Sequence, residues 1–115
     1  MKTDCNPKVS ILVPIYGTEQ YIEKCARTLF EQTYDNIEFI FVNDCSRDNS
    51  VHVLKRVLEE YPLRKGQARI IDHAHNMGLA GARLTGLQNA TGEYVWCVDS
   101  DDYVEKNAVE VMLPY

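Results

Sequence analysis

Four short apolar runs alternate with segments of helical periodicity along the 115 residues of the chain. The runs are rich in β-branched and aromatic residues, which predicts strands at residues 9–13, 37–42, 68–72 and 94–98. Apolar residues between them recur every three or four positions, which predicts helices at 19–33, 51–61, 79–90 and from about residue 106. This alternation indicates an α/β fold with an open, mostly parallel sheet and helices on both faces.

Length and composition bound the class of protein. The chain is 45% hydrophobic and 25% charged, which suits one globular domain over residues 1–115. A formal net charge of -5 argues against a nucleic-acid partner, because a phosphate backbone calls for a basic face. The longest apolar run, residues 37–42, is far shorter than the roughly 20 residues of a transmembrane helix, so no transmembrane segment is expected.

Cysteine spacing and the amino terminus indicate the compartment. The four cysteines lie far apart without a Cys-x-x-Cys pair, which favours reduced thiols over zinc ligands or a disulfide scaffold: Cys5, Cys25, Cys45 and Cys97. The first seven residues lack the apolar stretch of a secretory signal. We expect a cytoplasmic protein, with the inner face of a membrane as a compatible place and oligomer formation left open.

Polar residues collect in the loops that follow the predicted strands. In open parallel sheets, ligands bind in the crevice beyond the carboxyl ends of the strands. The loops at these ends are residues 14–18, 43–48 and 99–103, and the last two carry acids. These loops are therefore where a binding site is expected.

The loop after the fourth strand is the sharpest signal, because Asp99, Asp101 and Asp102 crowd one turn. Two unit charges about 4 Å apart repel by about 1 kcal/mol in water and about 4 kcal/mol near a protein surface. A bound Mn²⁺ or Mg²⁺, which prefers oxygen ligands, would relieve this repulsion. The alternative is a solvated acidic turn that caps the next helix.

Asp44 stands where the second strand ends, so its carboxylate is expected in the same crevice, where it could accept a hydrogen bond from a base or ribose. Helix capping is the alternative, and it suits Asp48, just before a helix start, better than Asp44.

Arg83 interrupts the predicted buried stripe of the third helix. That stripe consists of small and apolar residues: Leu79, Ala82, Gly86, Leu87 and Ala90. An arginine there needs an anion, either a structural carboxylate or a substrate diphosphate. Gly78 and Gly81 permit close backbone approach but do not form a phosphate-loop motif.

Histidines and aromatic residues near these loops carry weaker signals. His73 and His75 without a third ligand are weak evidence for zinc. Tyr16 and Tyr103 could stack on a base or sugar, whereas Trp96 lies inside an apolar strand and is expected in the core.

Four ordered segments resemble the family 2 inverting glycosyltransferases of the GT-A fold. Residues 9–16 resemble the opening strand of that family, and residues 42–50 its Asp-x-Ser-x-Asp loop. Residues 76–83 resemble its Asn-x-Gly and Ala-Arg segment, and residues 92–102 the strand that ends in its Asp-x-Asp motif. The resemblance runs from about residue 9 to the end of the chain.

The resemblance implies roles for individual residues. Pro14, Ile15 and Tyr16 would line the nucleotide pocket, and Asp44 would contact the base. Asn76 would contact the substrate, and Arg83 would lie near the base or diphosphate.

The metal site implied by the resemblance lies in the loop of residues 99–103, called the acidic loop below. Asp99 would touch the ribose side, Asp101 would hold Mn²⁺ or Mg²⁺, and Asp102 would assist. Two departures, Cys45 where glycine is common and Leu84 where asparagine often follows the arginine, bear on donor selectivity.

The function implied is metal-dependent transfer of a sugar from a nucleoside diphosphate, with UDP favoured, to an acceptor hydroxyl. The acceptor would be a saccharide or a lipid-linked saccharide in bacterial polysaccharide or glycoconjugate synthesis. No residue here matches the general base of the family, so we expect the amino-terminal, donor-binding half of a truncated enzyme. The alternatives are a non-catalytic nucleotide-binding or interaction module, and a phosphoacceptor receiver domain, whose acids would follow the first strand.

Overall fold

A computed structural model describes residues 6–113 and contains one sheet of four parallel strands. The strands are β1 (Val9–Ile15), β2 (Ile37–Asn43), β3 (Ala68–Asp72) and β4 (Tyr94–Cys97), in the order β3-β2-β1-β4. The helices are α1 (Ile22–Phe30), α2 (Ser50–Leu58), α3 (Pro62–Lys65), α4 (Gly78–Asn89) and α5 (Ala108–Met112). The predicted open parallel α/β fold is confirmed. Residues 1–5 and 114–115, including Cys5, lie outside the described part.

The two faces of the sheet pack against different helices. Every residue of β1 is buried, as expected for a strand covered on both sides. Ile11 and Val13 join a core with apolar residues of α1, α2 and α5, whereas Leu12 packs with Ala82 of α4 on the opposite face. Helices on both faces are therefore confirmed. Among residues 6–113, no helix combines the length and apolar character that crossing a bilayer requires.

Pro62 begins a helix rather than ending one. The second predicted helix was expected to continue to this proline, but α2 ends at Leu58 and Pro62 stands in the first turn of α3. Proline is favourable there because its missing N–H would have no partner inside the helix.

The predicted buried stripe of α4 was wrong in part. Ala82 and Gly86 are buried, but Leu79 and Leu87 are 51% and 55% exposed. A Cβ atom at position 86 would lie 3.2 Å from Leu12 Cδ1, so the helix backbone comes very close to β1 along this line. Only small residues fit in such a narrow contact, and the larger side chains project sideways.

Candidate functional site

A cavity of about 420 Å³ opens at the carboxyl ends of the strands. The loops after β1, β2 and β4 and the start of α4 supply its walls. Seven of the predicted site residues line it: Pro14, Ile15, Tyr16, Asp44, Asn76, Asp99 and Asp101. They meet because parallel strands end at one edge of the sheet. Arg83 and Asp102 are not among the lining residues, although Arg83 contacts Asp99 and Asp102 belongs to the same acidic loop.

Asp99, Asp101 and Asp102 form a group that could hold a cation. Each offers one carboxylate oxygen, and the three oxygens lie within 4.8 Å of one another. Two oxygens on opposite sides of a Mg²⁺ ion lie about 4.2 Å apart, twice the metal–oxygen distance. Three ligands of one ion include at most one opposite pair, and adjacent ligands lie about 3.0 Å apart, so the side chains must draw closer together to surround a divalent ion. The three carboxylates provide a ligand set that suits a hard divalent cation.

The guanidinium of Arg83 forms an ion pair with Asp99, which lies in the loop after β4. Its Nη2 lies 3.3 Å from Asp99 Oδ1, and both side chains are nearly half exposed, at 48% and 45%. Exposed ion pairs of this kind typically stabilise a fold by less than about 1 kcal/mol. Because the pair is weak and accessible, a ligand anion or cation can compete for either partner.

The Asp44 carboxylate is buried and already engaged. It is 3% exposed, Oδ1 accepts the Met77 N–H at 2.7 Å, and Oδ2 accepts the Gly78 N–H at 2.9 Å. Asp44 thus caps the start of α4 from a neighbouring strand. Asp48 caps α2 as expected, accepting the Ser50 N–H at 3.1 Å.

Two opposing effects act on the acidity of Asp44. Burial by itself raises the pKa of this carboxyl, but hydrogen bonds from His73, Met77 and Gly78 outweigh burial and bring the pKa below its ordinary value of 3.8. Asp44 is therefore an ionised, hydrogen-bond-accepting wall of the cavity near neutral pH.

His73 is the main site residue that sequence reasoning missed. Its side chain is 6% exposed, Nδ1 lies 2.9 Å from Asp44 Oδ1, and Nε2 lies 2.7 Å from Thr85 Oγ1. Both ring nitrogens are thus occupied, which leaves neither for a zinc ion. The available signal was its position directly after β3, next to the end of β2, where Asp44 lies.

The hydroxyls of Thr18 and Ser100 were also missed. They lie 2.9 Å apart and join the loop after β1 to the acidic loop after β4. Both residues line the cavity. Short hydroxyl side chains have no distinctive spacing, so nothing in the sequence singles them out.

Two residues of helix α1 contact the acidic loop. The Cys25 thiol donates to the Asp99 carbonyl at 3.6 Å, and the Lys24 Nζ lies 3.8 Å from the centre of the Tyr103 ring. Burial, followed by the charges of Asp102, Asp101 and Asp99, raises the pKa of Cys25 to about 12. Cys25 therefore stays a neutral thiol and adds no negative charge beneath the carboxylates.

Cys45 has a left-handed backbone, with φ of 62°. A side chain in this region costs about 1–2 kcal/mol, and glycine avoids that cost.

We expect Cys45→Gly to raise the free energy of unfolding by about 1 kcal/mol. The loss of the weak Sγ contact to the His73 carbonyl reduces this gain. The β-branched Cys45→Val should lower the free energy of unfolding instead. Urea unfolding of both variants measures the difference. Equal unfolding free energies of the glycine and valine variants would show that the backbone at position 45 is not strained.

The sheet order, the helices on both faces and the cavity at the strand ends are those of the GT-A fold. The chain matches glycosyl transferase family 2 over residues 10–115 and belongs to that family. EpsH of Bacillus subtilis is 43% identical over 107 residues, which cover 93% of this chain and 30% of EpsH. Membership in this family overturns the receiver-domain alternative.

Two solved structures share the fold. S. aureus TarS 1-349 in complex with UDP superposes with a TM-score of 0.80 at 29% identity, over 90% of this chain and 30% of TarS. The mannosyltransferase PcManGT from Pyrobaculum calidifontis, in complex with GDP-Man and Mn²⁺, gives a TM-score of 0.83 at 29% identity, over 95% and 33%. The chain spans about a third of the length of these three proteins.

Proposed function

We propose that this chain binds a nucleoside-diphosphate sugar, with a UDP-sugar favoured, as the donor-binding part of an inverting glycosyltransferase. The observation that carries the proposal is that Asp44 and the acidic loop line one cavity at the carboxyl edge of the sheet. UDP and GDP-Man in complexes of two proteins of this fold support a nucleotide-sugar ligand. The base would lie near Asp44, and the diphosphate near Asp99 and Asp101.

The proposed metal is Mn²⁺ or Mg²⁺, held mainly by Asp101 with help from Asp99 and Asp102. An all-carboxylate ligand set suits these hard cations, and few protein ligands leave positions for phosphate oxygens and water. The bound cation would stabilise the charge that develops on the departing nucleoside diphosphate.

Arg83 is proposed as a second positive group for the diphosphate. Its exposed pair with Asp99 is weak enough to be exchanged for a phosphate, which accepts a bidentate arginine well. A cation held by Asp99 would weaken the ion pair and would leave the Arg83 guanidinium available for this contact.

The transfer step itself would complete the proposed function. An acceptor hydroxyl, on a saccharide or lipid-linked saccharide of a bacterial polysaccharide or glycoconjugate, would lose its proton to a general base and attack the anomeric carbon. We assign that base to no residue of this chain. The contribution proposed for this chain is to hold the donor and its leaving group.

Donor binding is tested by thermal unfolding with UDP, GDP and CDP, each with Mn²⁺ and with EDTA. A ligand at 100 times its Kd stabilises the folded state by about 2.7 kcal/mol, so UDP with Mn²⁺ is expected to raise the midpoint by several degrees. The EDTA samples should show little shift, because without the cation the carboxylates of the acidic loop repel the diphosphate and Arg83 offsets only part of that charge.

Inorganic phosphate with Mn²⁺ is the control, since it offers charge without a base. If none of the three nucleotides shifts the midpoint of thermal unfolding, the proposal of donor binding is refuted. Equal shifts with phosphate and with UDP would show that the cavity recognises charge alone.

A further inference from the structure

A buried chain of hydrogen bonds runs from Asp44 through His73 to Thr85, behind the wall of the cavity. Asp44 and His73 have side chains only 4% and 6% exposed, so water does not replace these contacts easily. Thr85 lies on α4, and the chain therefore ties the end of β2 to the end of β3 and to the helix.

The proton positions along this chain follow from the acceptor at one end. An ionised carboxylate only accepts hydrogen bonds, so the proton on His73 must lie on Nδ1 and be donated to Asp44 Oδ1. The Nε2 atom at the other side of the ring pairs with the Thr85 hydroxyl at 2.7 Å. Asp44 and Thr85 together thereby fix the orientation of the ring.

With the ring so placed, the acceptor capacity of Asp44 is nearly used up. Oδ1 accepts from His73 Nδ1 and the Met77 N–H, and Oδ2 accepts from the Gly78 N–H. A carboxylate has about four acceptor positions. Within residues 6–113, one position, on Oδ2, therefore remains for a ligand.

One acceptor position distinguishes between bases. Uracil presents a single ring N–H between two carbonyl groups, whereas guanine presents a ring N–H next to an amino group and needs two acceptors. A donor left unpaired in a buried site is costly. A carboxylate limited to one contact therefore suits uracil better than guanine.

We infer that His73 is a positioning residue that orients Asp44 and limits it to one ligand contact, so that the cavity prefers uridine over guanosine nucleotides. This inference rests on the proposed donor binding. The role is indirect, since it is exerted through Asp44, and it requires both ring nitrogens to keep their partners.

Two substitutions separate the ring nitrogens. His73→Asn places an amide nitrogen near the Nδ1 position and can still donate to Asp44, whereas His73→Gln reaches toward the Nε2 position and Thr85 instead. We expect His73→Gln to reduce the ratio of GDP Kd to UDP Kd by roughly tenfold, the effect of one hydrogen bond to a charged group, while His73→Asn keeps the ratio within about threefold. Calorimetric titration with UDP and GDP in Mn²⁺ measures both constants.

Amide hydrogen exchange of Met77 and Gly78 without nucleotide reports the placement of Asp44 directly. Exchange should accelerate at both amides in His73→Gln and stay near the wild-type rate in His73→Asn. Thr85→Val, which keeps the shape and loses the hydroxyl, offers a second route if His73→Gln fails to fold, and it should also lower the nucleotide ratio.

The possible failures are distinguishable. A wild-type chain that binds neither nucleotide would remove the proposed function and this inference with it. Wild-type preference for UDP that persists unchanged in His73→Gln, or in Thr85→Val where the glutamine variant does not fold, would overturn the inference and leave the proposed function standing.

Discussion

The Asp101→Ala variant is expected to bind a nucleoside diphosphate equally weakly with and without Mn²⁺. Substitution of a residue that only orients a metal ligand typically weakens metal affinity by about 10–100-fold. Substitution of a direct ligand should weaken it at least as much. The exposed Asp101 side chain supports no core contact, so the free energy of unfolding should change by less than about 0.5 kcal/mol. Titration of UDP into the variant, with Mn²⁺ and then with EDTA, measures the effect.

Glu105→Ala is the matched control for this experiment. Glu105 is an exposed acid a few residues later, outside the group of three converging carboxylates. It removes the same charge from the same region, so it should keep the Mn²⁺ dependence. Metal-dependent binding that survives in Asp101→Ala, or is lost to the same extent in Glu105→Ala, would refute the assignment of Asp101 as the principal ligand.

The Arg64→Met variant is expected to lose about 3–5 kcal/mol of unfolding free energy, because several buried carbonyl groups lose a charged donor at once. Arg64 is 8% exposed and donates to the carbonyls of Phe30, Gln32 and Tyr34 at 3.0, 2.8 and 2.9 Å. These carbonyls belong to the end of α1 and the turn into β2. The guanidinium therefore holds the connection between the first helix and the second strand.

Arg69→Met is the control for the loss of Arg64. Arg69 is exposed and donates to the Asn89 carbonyl at 2.8 Å on the surface, so the same substitution should cost less than about 1 kcal/mol. Arg64→Lys should fall between the two, because an ammonium keeps the charge but cannot reach carbonyls in several directions. Urea unfolding gives all three values, and similar losses at positions 64 and 69 would show that Arg64 has no such role.

The amino-acid sequence alone does not distinguish the buried Arg64 from the exposed Arg69. Arg64 lies in a short run of polar residues and Arg69 in the predicted third strand, and neither position has a local pattern that distinguishes a buried arginine from an exposed one. Their difference comes from residues about thirty positions earlier, whose carbonyls surround Arg64 in the folded chain. Similarly, the partner of Arg83 was left open between a carboxylate and a ligand, and the fold supplies Asp99.

The order of the elements and the location of the cavity could be predicted because both depend on local patterns. Apolar runs and helical spacing specify strands and helices, and parallel strands necessarily place their following loops at one edge. The adjacency of Asp99, Asp101 and Asp102 is likewise visible along the chain.

The amino-acid sequence by itself thus determined an α/β sheet, its order of elements and an acidic loop at the strand ends. Only the tertiary structure decided that Asp44 is buried under three donors, that His73 and Thr85 lie behind it, and that α4 leaves its leucines exposed. Periodicity reports which side of one element is apolar. Which hydrogen-bond partners a side chain finds, and which face of a helix packs on the sheet, depend on atoms from segments that are distant in the sequence. No single stretch of sequence encodes these contacts.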